Sequence, residues 1–167
     1  MLNKIKVKKG FTLLEVITAV FVVMVGIGGT VTLINQTVRF SQTVSSKLIA
    51  SYLAQEGIEI VKNIRDSNFL NIHKTGNGNW DDGLAQGDWE ADYNTQGLSQ
   101  PYTTGNYLNI DASGSYGYSF GAPTEFKRKI NISINGEIRE VRIFVIWEEK
   151  GQTYEVVAQE NLYQWWK

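Results

Sequence analysis

One stretch of 24 residues constrains this chain more than any other. From Phe11 to Ile34 it reads FTLLEVITAVFVVMVGIGGTVTLI, and Glu15 is its sole ionisable side chain. About 20 apolar helical residues cross a bilayer core, so the stretch is long enough to span. The ten residues before it, MLNKIKVKKG, hold Lys4, Lys6, Lys8 and Lys9 and no acid. The positive-inside bias then keeps the N-terminus in the cytoplasm and places the chain after Ile34 on the outer side. A cleaved secretory signal would have an apolar region of about 7–15 residues and small residues at the cut. This run is longer, and no such site follows it. A buried core helix explains neither the unbroken length nor the basic leader. A plain anchor explains both but leaves Glu15 unexplained, because an acid at the centre of a membrane helix costs roughly 2.5–3.5 kcal/mol, less near its end.

The run Lys8-Lys9-Gly10-Phe11-Thr12-Leu13-Leu14-Glu15-Val16 resembles the N-terminal signature of type IV pilins and type II secretion pseudopilins. Basic leader, Gly, Phe and an isolated Glu at the fifth position after the Gly occur together at fixed spacing. The resemblance implies cleavage by an inner-membrane prepilin peptidase between Gly10 and Phe11, on the cytoplasmic side, and methylation of the new amine. The mature chain would have 167 − 10 = 157 residues. It also implies a role for Glu15. Removal of the leader creates a cation, the amine of Phe11, whose reference pKa near 7.7–8.0 keeps it largely protonated at neutral pH. Phe11 and Glu15 lie four positions apart, close enough to interact along a helix. In a staggered filament the partner amine belongs to the neighbouring subunit, and such a buried pair fixes register more than it adds stability.

Gly26, Gly28 and Gly29 interrupt the apolar run. They are read either as small residues for close helix packing or, as the resemblance implies, as a segment that unwinds when the subunit leaves the membrane. Beyond Ile34, Leu48, Ile49, Tyr52, Leu53, Ile60, Val61 and Ile64 fall on one arc at 100° per residue, with Lys47, Ser51, Gln55, Lys62 and Arg65 opposite. One helix from Phe11 to about Asp66 is expected, its outer half packed on a globular head. The segment Ala54-Gln55-Glu56-Gly57-Ile58-Glu59 is similar to the helix of minor pilins and pseudopilins.

Residues 76–123 hold nine of the 16 Gly, both Pro, no Lys or Arg, and six acids: Asp81, Asp82, Asp88, Glu90, Asp92 and Asp111. This composition predicts long loops with one or two short strands, Trp89–Tyr93 among them. Within it, Asn79, Asp81 and Asp88 stand at spacings that resemble a degraded calcium loop, with Asp in place of the bidentate Glu. A solvated acidic loop is the competing reading, and no cofactor is expected.

Farther on, Ile130, Ile132 and Ile134 alternate with polar residues, and Asn135-Gly136 predicts a type I′ hairpin. The return strand is expected over Ile138–Trp147, with Val141, Ile143, Val145 and Trp147 on one face and a bulge at Ile138. A third strand follows at Thr153–Gln159. In the tail Leu162-Tyr163-Gln164-Trp165-Trp166, two adjacent Trp cannot both point inward, so one is a candidate interface residue. The fold class is therefore α+β: a leader (1–10), a transmembrane and assembly helix (11–34), and a head (35–167). The head comprises an amphipathic helix (35–66), Gly/Asp-rich loops (67–123) and antiparallel strands (124–167).

Composition limits what else the chain can do. With no Cys and one His, His73, it has no thiolate metal site and little material for nucleophile–base catalysis. No phosphate loop is present, and Gly114-Ser115-Tyr116-Gly117 lacks nucleophile-elbow spacing, so no enzyme is expected. Sixteen basic residues against 17 acidic ones do not suit a phosphate-gripping surface. The patch Lys127-Arg128-Lys129 beside Phe126 is read as a solvated strand end, and nucleic acid is not expected as a partner. The resemblance implies a structural subunit, a minor pilin, of a type IV pilus or related filament. Its partners would be other pilin subunits, the prepilin peptidase, an inner-membrane assembly platform and, before assembly, the lipid bilayer. The chain would begin as a single-pass precursor in the inner or cytoplasmic membrane and end in an extracellular or periplasmic filament. A type II secretion pseudopilin and a membrane-anchored extracellular binding module that never polymerises are the alternatives.

Overall fold

Helix α1 (Leu13–Thr75) takes up 63 residues without a break. In the computed structural model, which describes residues 10–165, it passes through both of the units into which the chain divides after Val44. Lys4, Lys6, Lys8, Lys9 and Trp166 lie outside the described residues.

In the first unit every residue from Gly10 to Gln42 is exposed. The threonines in this apolar stretch are satisfied locally: the hydroxyls of Thr30 and Thr32 donate to the carbonyls of Gly26 and Gly28 at 2.9 and 3.0 Å. Such back-bonding to the preceding turn removes the cost of carrying a hydroxyl where no water is available. The three glycines here stay helical.

The second unit sets the outer part of α1 against an antiparallel sheet. The strands are β1 (Gly87–Glu90), β2 (Gln100–Pro101), β3 (Asn109–Ile110), β4 (Tyr116–Gly117), β5 (Ala122–Pro123), β6 (Lys127–Asn135), β7 (Ile138–Glu149) and β8 (Gln152–Leu162). Five form one sheet in the order β2-β1-β6-β7-β8, and β4-β3-β5 form a small second sheet. The expected α+β architecture is present, with two more strands in the main sheet than residues 124–167 alone supply. β1 ends at Glu90 rather than Tyr93 and pairs with β6 through Trp89 and Ile130.

α1 runs nine residues past Asp66. Phe69 is buried there, stacked on Trp80 at 6.5 Å between ring centroids, and Asn68 Nδ2 donates to the carbonyls of Trp80 and Asp82 at 3.1 and 2.7 Å. These contacts hold a polar segment that periodicity alone would end early. The helix stops at Gly76, whose φ of 71° and N–H bond to the Ile72 carbonyl (2.8 Å) make an αL cap.

The core face of α1 is rotated from the one expected. Leu53, Ile60, Val61 and Ile64 are buried, but Leu48 and Tyr52 are exposed, and Ala50, Ala54 and Gly57 lie inside instead. Small residues let the helix approach closely: a Cβ on Gly57 would stand 2.7 Å from Ile143 Cγ2. On the sheet, Ile130, Ile132, Val141, Ile143, Val145 and Trp147 are buried as the alternation predicts, while Ile134 is exposed.

Two turn expectations are corrected. The β6–β7 register is unbroken from Lys127↔Ile146 to Asn135↔Ile138, so there is no bulge at Ile138. The connecting residues are Gly136-Glu137, with positive φ at Gly136 only, which is the pattern of a type II′ turn and not of I′ over Asn-Gly. The I′ pattern occurs in the next hairpin, at Lys150-Gly151, with φ of 54° and 77°.

Candidate assembly site and the clamp beneath the head

Gly10 and Phe11 precede the helix and are exposed. Thr12 is the N-cap: its Oγ1 accepts the backbone N–H of Glu15 at 3.3 Å. Thr12-Leu13-Leu14-Glu15 has the sequence of a capping box, a signal that the apolar pattern of the stretch obscures. The cap places Glu15 in the first turn, where a carboxylate offsets the positive end of the helix dipole, and His73 and Lys74 occupy the last turn at the opposite end. Gly10, Phe11 and Glu15, the three positions expected to serve processing and assembly, thus lie with the cap Thr12 at one exposed helix start.

The three candidate calcium ligands have separate partners. Asn79 turns to Asp82, donating to its carboxylate from backbone N (2.8 Å) and Nδ2 (3.3 Å). Asp81 pairs with Arg139 of β7, and Asp88 accepts from Asn131 Nδ2 at 2.6 Å and faces Lys129 at 3.9 Å. Among the described residues no group of three or more His, Asp or Glu is placed to hold a metal.

Arg128, read as part of a solvated basic patch, is 0% exposed. Its Nη1 pairs with Glu56 of α1 at 3.2 Å and reaches the Leu53 carbonyl at 3.3 Å, while Nη2 donates to the Ala91 carbonyl at 2.7 Å. One side chain thus ties α1, the end of β1 and β6 together. Gly57 makes room for it, since a Cβ there would sit 3.3 Å from Arg128 Cδ. The period-two alternation of β6, carried back from Ile130, already places residue 128 on the inward face; the charge run hid it. Lys127 and Lys129 point the other way, 4.4 Å over the rings of Tyr107 and Phe144 respectively.

Glu90 is the second buried charged residue that sequence reasoning missed. Its carboxylate accepts from Gln100 Nε2 (2.9 Å), Thr103 N (2.7 Å) and Asn106 Nδ2 (2.8 Å), so it organises the loop from Gln100 to Asn106. Nearby, burial pushes the phenols of Tyr118 and Tyr102 above the ordinary tyrosine range. Tyr118 Oη donates to the Arg128 carbonyl at 3.1 Å. Trp165 is exposed on one side while its ring meets Phe69 edge-on at 5.2 Å, so the tail is neither wholly core nor wholly surface.

An exposed, capped apolar helix long enough to cross a membrane, joined to an α+β head, fits a membrane-anchored precursor. The prokaryotic N-terminal methylation motif matches residues 5–31, and it is the signature carried by type IV pilins and pseudopilins. It supports a pilin-like or pseudopilin precursor and points to a structural protein. No curated protein and no solved structure matches the chain.

Proposed function

We propose that the chain is a prepilin whose mature form is a filament subunit, a minor pilin of a type IV pilus or related machine. One observation supports this reading: the apolar stretch that begins α1 has no cover among the described residues, and none of it is buried. Lipid covers such a surface before assembly and neighbouring subunits cover it afterwards. Residues 13–34 alone rise about 33 Å, the thickness of a bilayer core.

Processing between Gly10 and Phe11 removes the four leader lysines and leaves an amine one residue before the cap. A cation there opposes the helix dipole. Glu15 relieves that opposition, and in the filament it draws the amine of a neighbouring Phe11 into register. Prepilin peptidase, other pilin subunits and the inner-membrane assembly platform are the partners this route requires. The head then faces the extracellular or periplasmic side.

Intact-mass analysis of the protein from its own cells tests the reading. A chain beginning at N-methylated Phe11 is expected, whereas a retained leader indicates an anchored module that does not polymerise. In the same cells Glu15→Ala is expected to insert in the membrane but to be lost from filaments; its normal incorporation would remove Glu15 from the assembly role.

A further inference from the structure

The head carries two joined polar clefts that the assembly role does not use. The smaller, of about 220 Å³, is lined by Asp92, Asp111, Ser115, Tyr93 and Phe120 among others. The larger, of about 430 Å³, shares Asp92, Asn94, Thr95 and Ser119 with it and extends to Glu90 and Gln100. No Lys or Arg lines either one.

We infer that these clefts bind a neutral saccharide. Phe120 is 81% exposed and Tyr93 56% exposed, although both line a concave polar surface where no core demands an aromatic ring. Large rings held open to water at the wall of a polar cleft are placed to cover the C–H face of a sugar. The remaining lining is dominated by amides and hydroxyls, which both donate and accept, as sugar hydroxyls do. An anionic ligand would meet carboxylates and no cation. An ammonium ligand offers donors only and would leave those amide and hydroxyl donors unmatched.

Asp92 supplies the orienting group. Its Oδ1 accepts from the Asn94 N–H at 3.1 Å and the Thr95 hydroxyl at 3.3 Å. Its Oδ2 lies against Gly117, where an added Cβ would come within 3.3 Å. Buried Gly117 lines the same cleft, so the missing side chain keeps space open beside this oxygen.

The test uses the full chain in phosphatidylcholine nanodiscs, unassembled and in EDTA, on an array of neutral and sialylated oligosaccharides. This keeps its outcome separate from that of the filament reading. Neutral oligosaccharides are expected to bind, with a loss of about tenfold or more in Phe120→Ala and in Asp92→Asn. Tyr163→Ala, exposed at the far end of β8, is expected to bind as the parent does. Phe120→Ala removes an exposed ring and leaves the core intact, so its result is not confounded by unfolding. Binding of no glycan, preference for sialylated glycans, or undiminished binding by Phe120→Ala would each overturn the inference. Binding of a lysine peptide where no saccharide binds would overturn it and assign the clefts to a cation instead.

Discussion

The four glycines of α1 separate the two units of the molecule. Gly26, Gly28 and Gly29 would meet nothing within 4 Å if given a Cβ, whereas Gly57 would strike Ile143 and crowd Arg128. Apolar side chains divide in the same way. Those from Phe11 to Ile34 are exposed, and those of the second unit close into a core running from Ala50 to Leu162. One continuous helix therefore carries two kinds of apolar surface. The second is completed by the chain's own sheet. The first stays exposed among the described residues. Small residues mean different things on the two surfaces: at Gly57 a distance already closed, at Gly26, Gly28 and Gly29 open space.

The largest expected effect breaks the completed surface at its clamp. Arg128→Ala takes the donor from the Ala91 carbonyl, removes a second donor from the Leu53 carbonyl and opens a void beside Gly57. Because Glu56 is about a third exposed and can be solvated once alone, the loss comes mainly from the emptied core site, a large-to-small cost of about 2–5 kcal/mol. Chemical denaturation of the full chain in detergent, followed by tryptophan emission, is expected to show the head unfolding at lower denaturant. All the Trp residues lie at position 80 or beyond, so this signal reports on the second unit alone. An unchanged midpoint would mean that the three elements are held together without the clamp.

A smaller effect compares the glycines directly. Gly57→Ala forces Ile143 or the helix to move, an overpacking cost of about 1–3 kcal/mol. Gly26→Ala is expected to leave head stability unchanged and to favour the free helix by about 1 kcal/mol. Equal shifts for the two variants, by the same denaturation assay, would erase the distinction between the units.

Much of this division was legible in the sequence, for physical reasons that also mark where legibility stops. The apolar stretch, its leader and Glu15 are local in the chain, and so are the hairpin strands with their alternating Ile and Val. Nothing local explains Gly57, because its reason for being Gly is Ile143, 86 positions away. Arg128 looked solvated because Glu56, Leu53 and Ala91 are far from it in sequence, Leu53 by 75 positions and Ala91 by 37. Leu48 and Tyr52 were assigned to the core by hydrophobicity, yet Ala50 and Ala54 occupy it, since a sheet at close approach selects for size before apolarity. A short strand was legible around Trp89, but the loop gathered by Glu90 was not, since composition there signals turns and the residues its carboxylate binds lie 10 to 16 positions on.

The smallest expected effect lies in the turn after β3, where structure rests on hydrogen bonds and not on burial. The Ser113 hydroxyl first, then the Ser115 and Ser113 amides, hold the Asp111 carboxyl below its ordinary value of 3.8. A carboxylate lowered on folding stabilises the folded turn above its unfolded value, and that contribution fades as pH falls through the lower folded value. Acid titration of the full chain by NMR is therefore expected to move the Ser113 and Ser115 amide signals together, with a midpoint beneath the usual aspartate range. The Trp147 indole, in the core, is expected to stay fixed over the same interval. Asp111→Asn, which keeps an acceptor but removes the charge, is expected to abolish the titration while leaving the clefts' aromatic wall in place. A midpoint at the ordinary value would show that the turn forms without help from this carboxylate. The cleft beside it would then be shaped by the β3–β4 pairing alone.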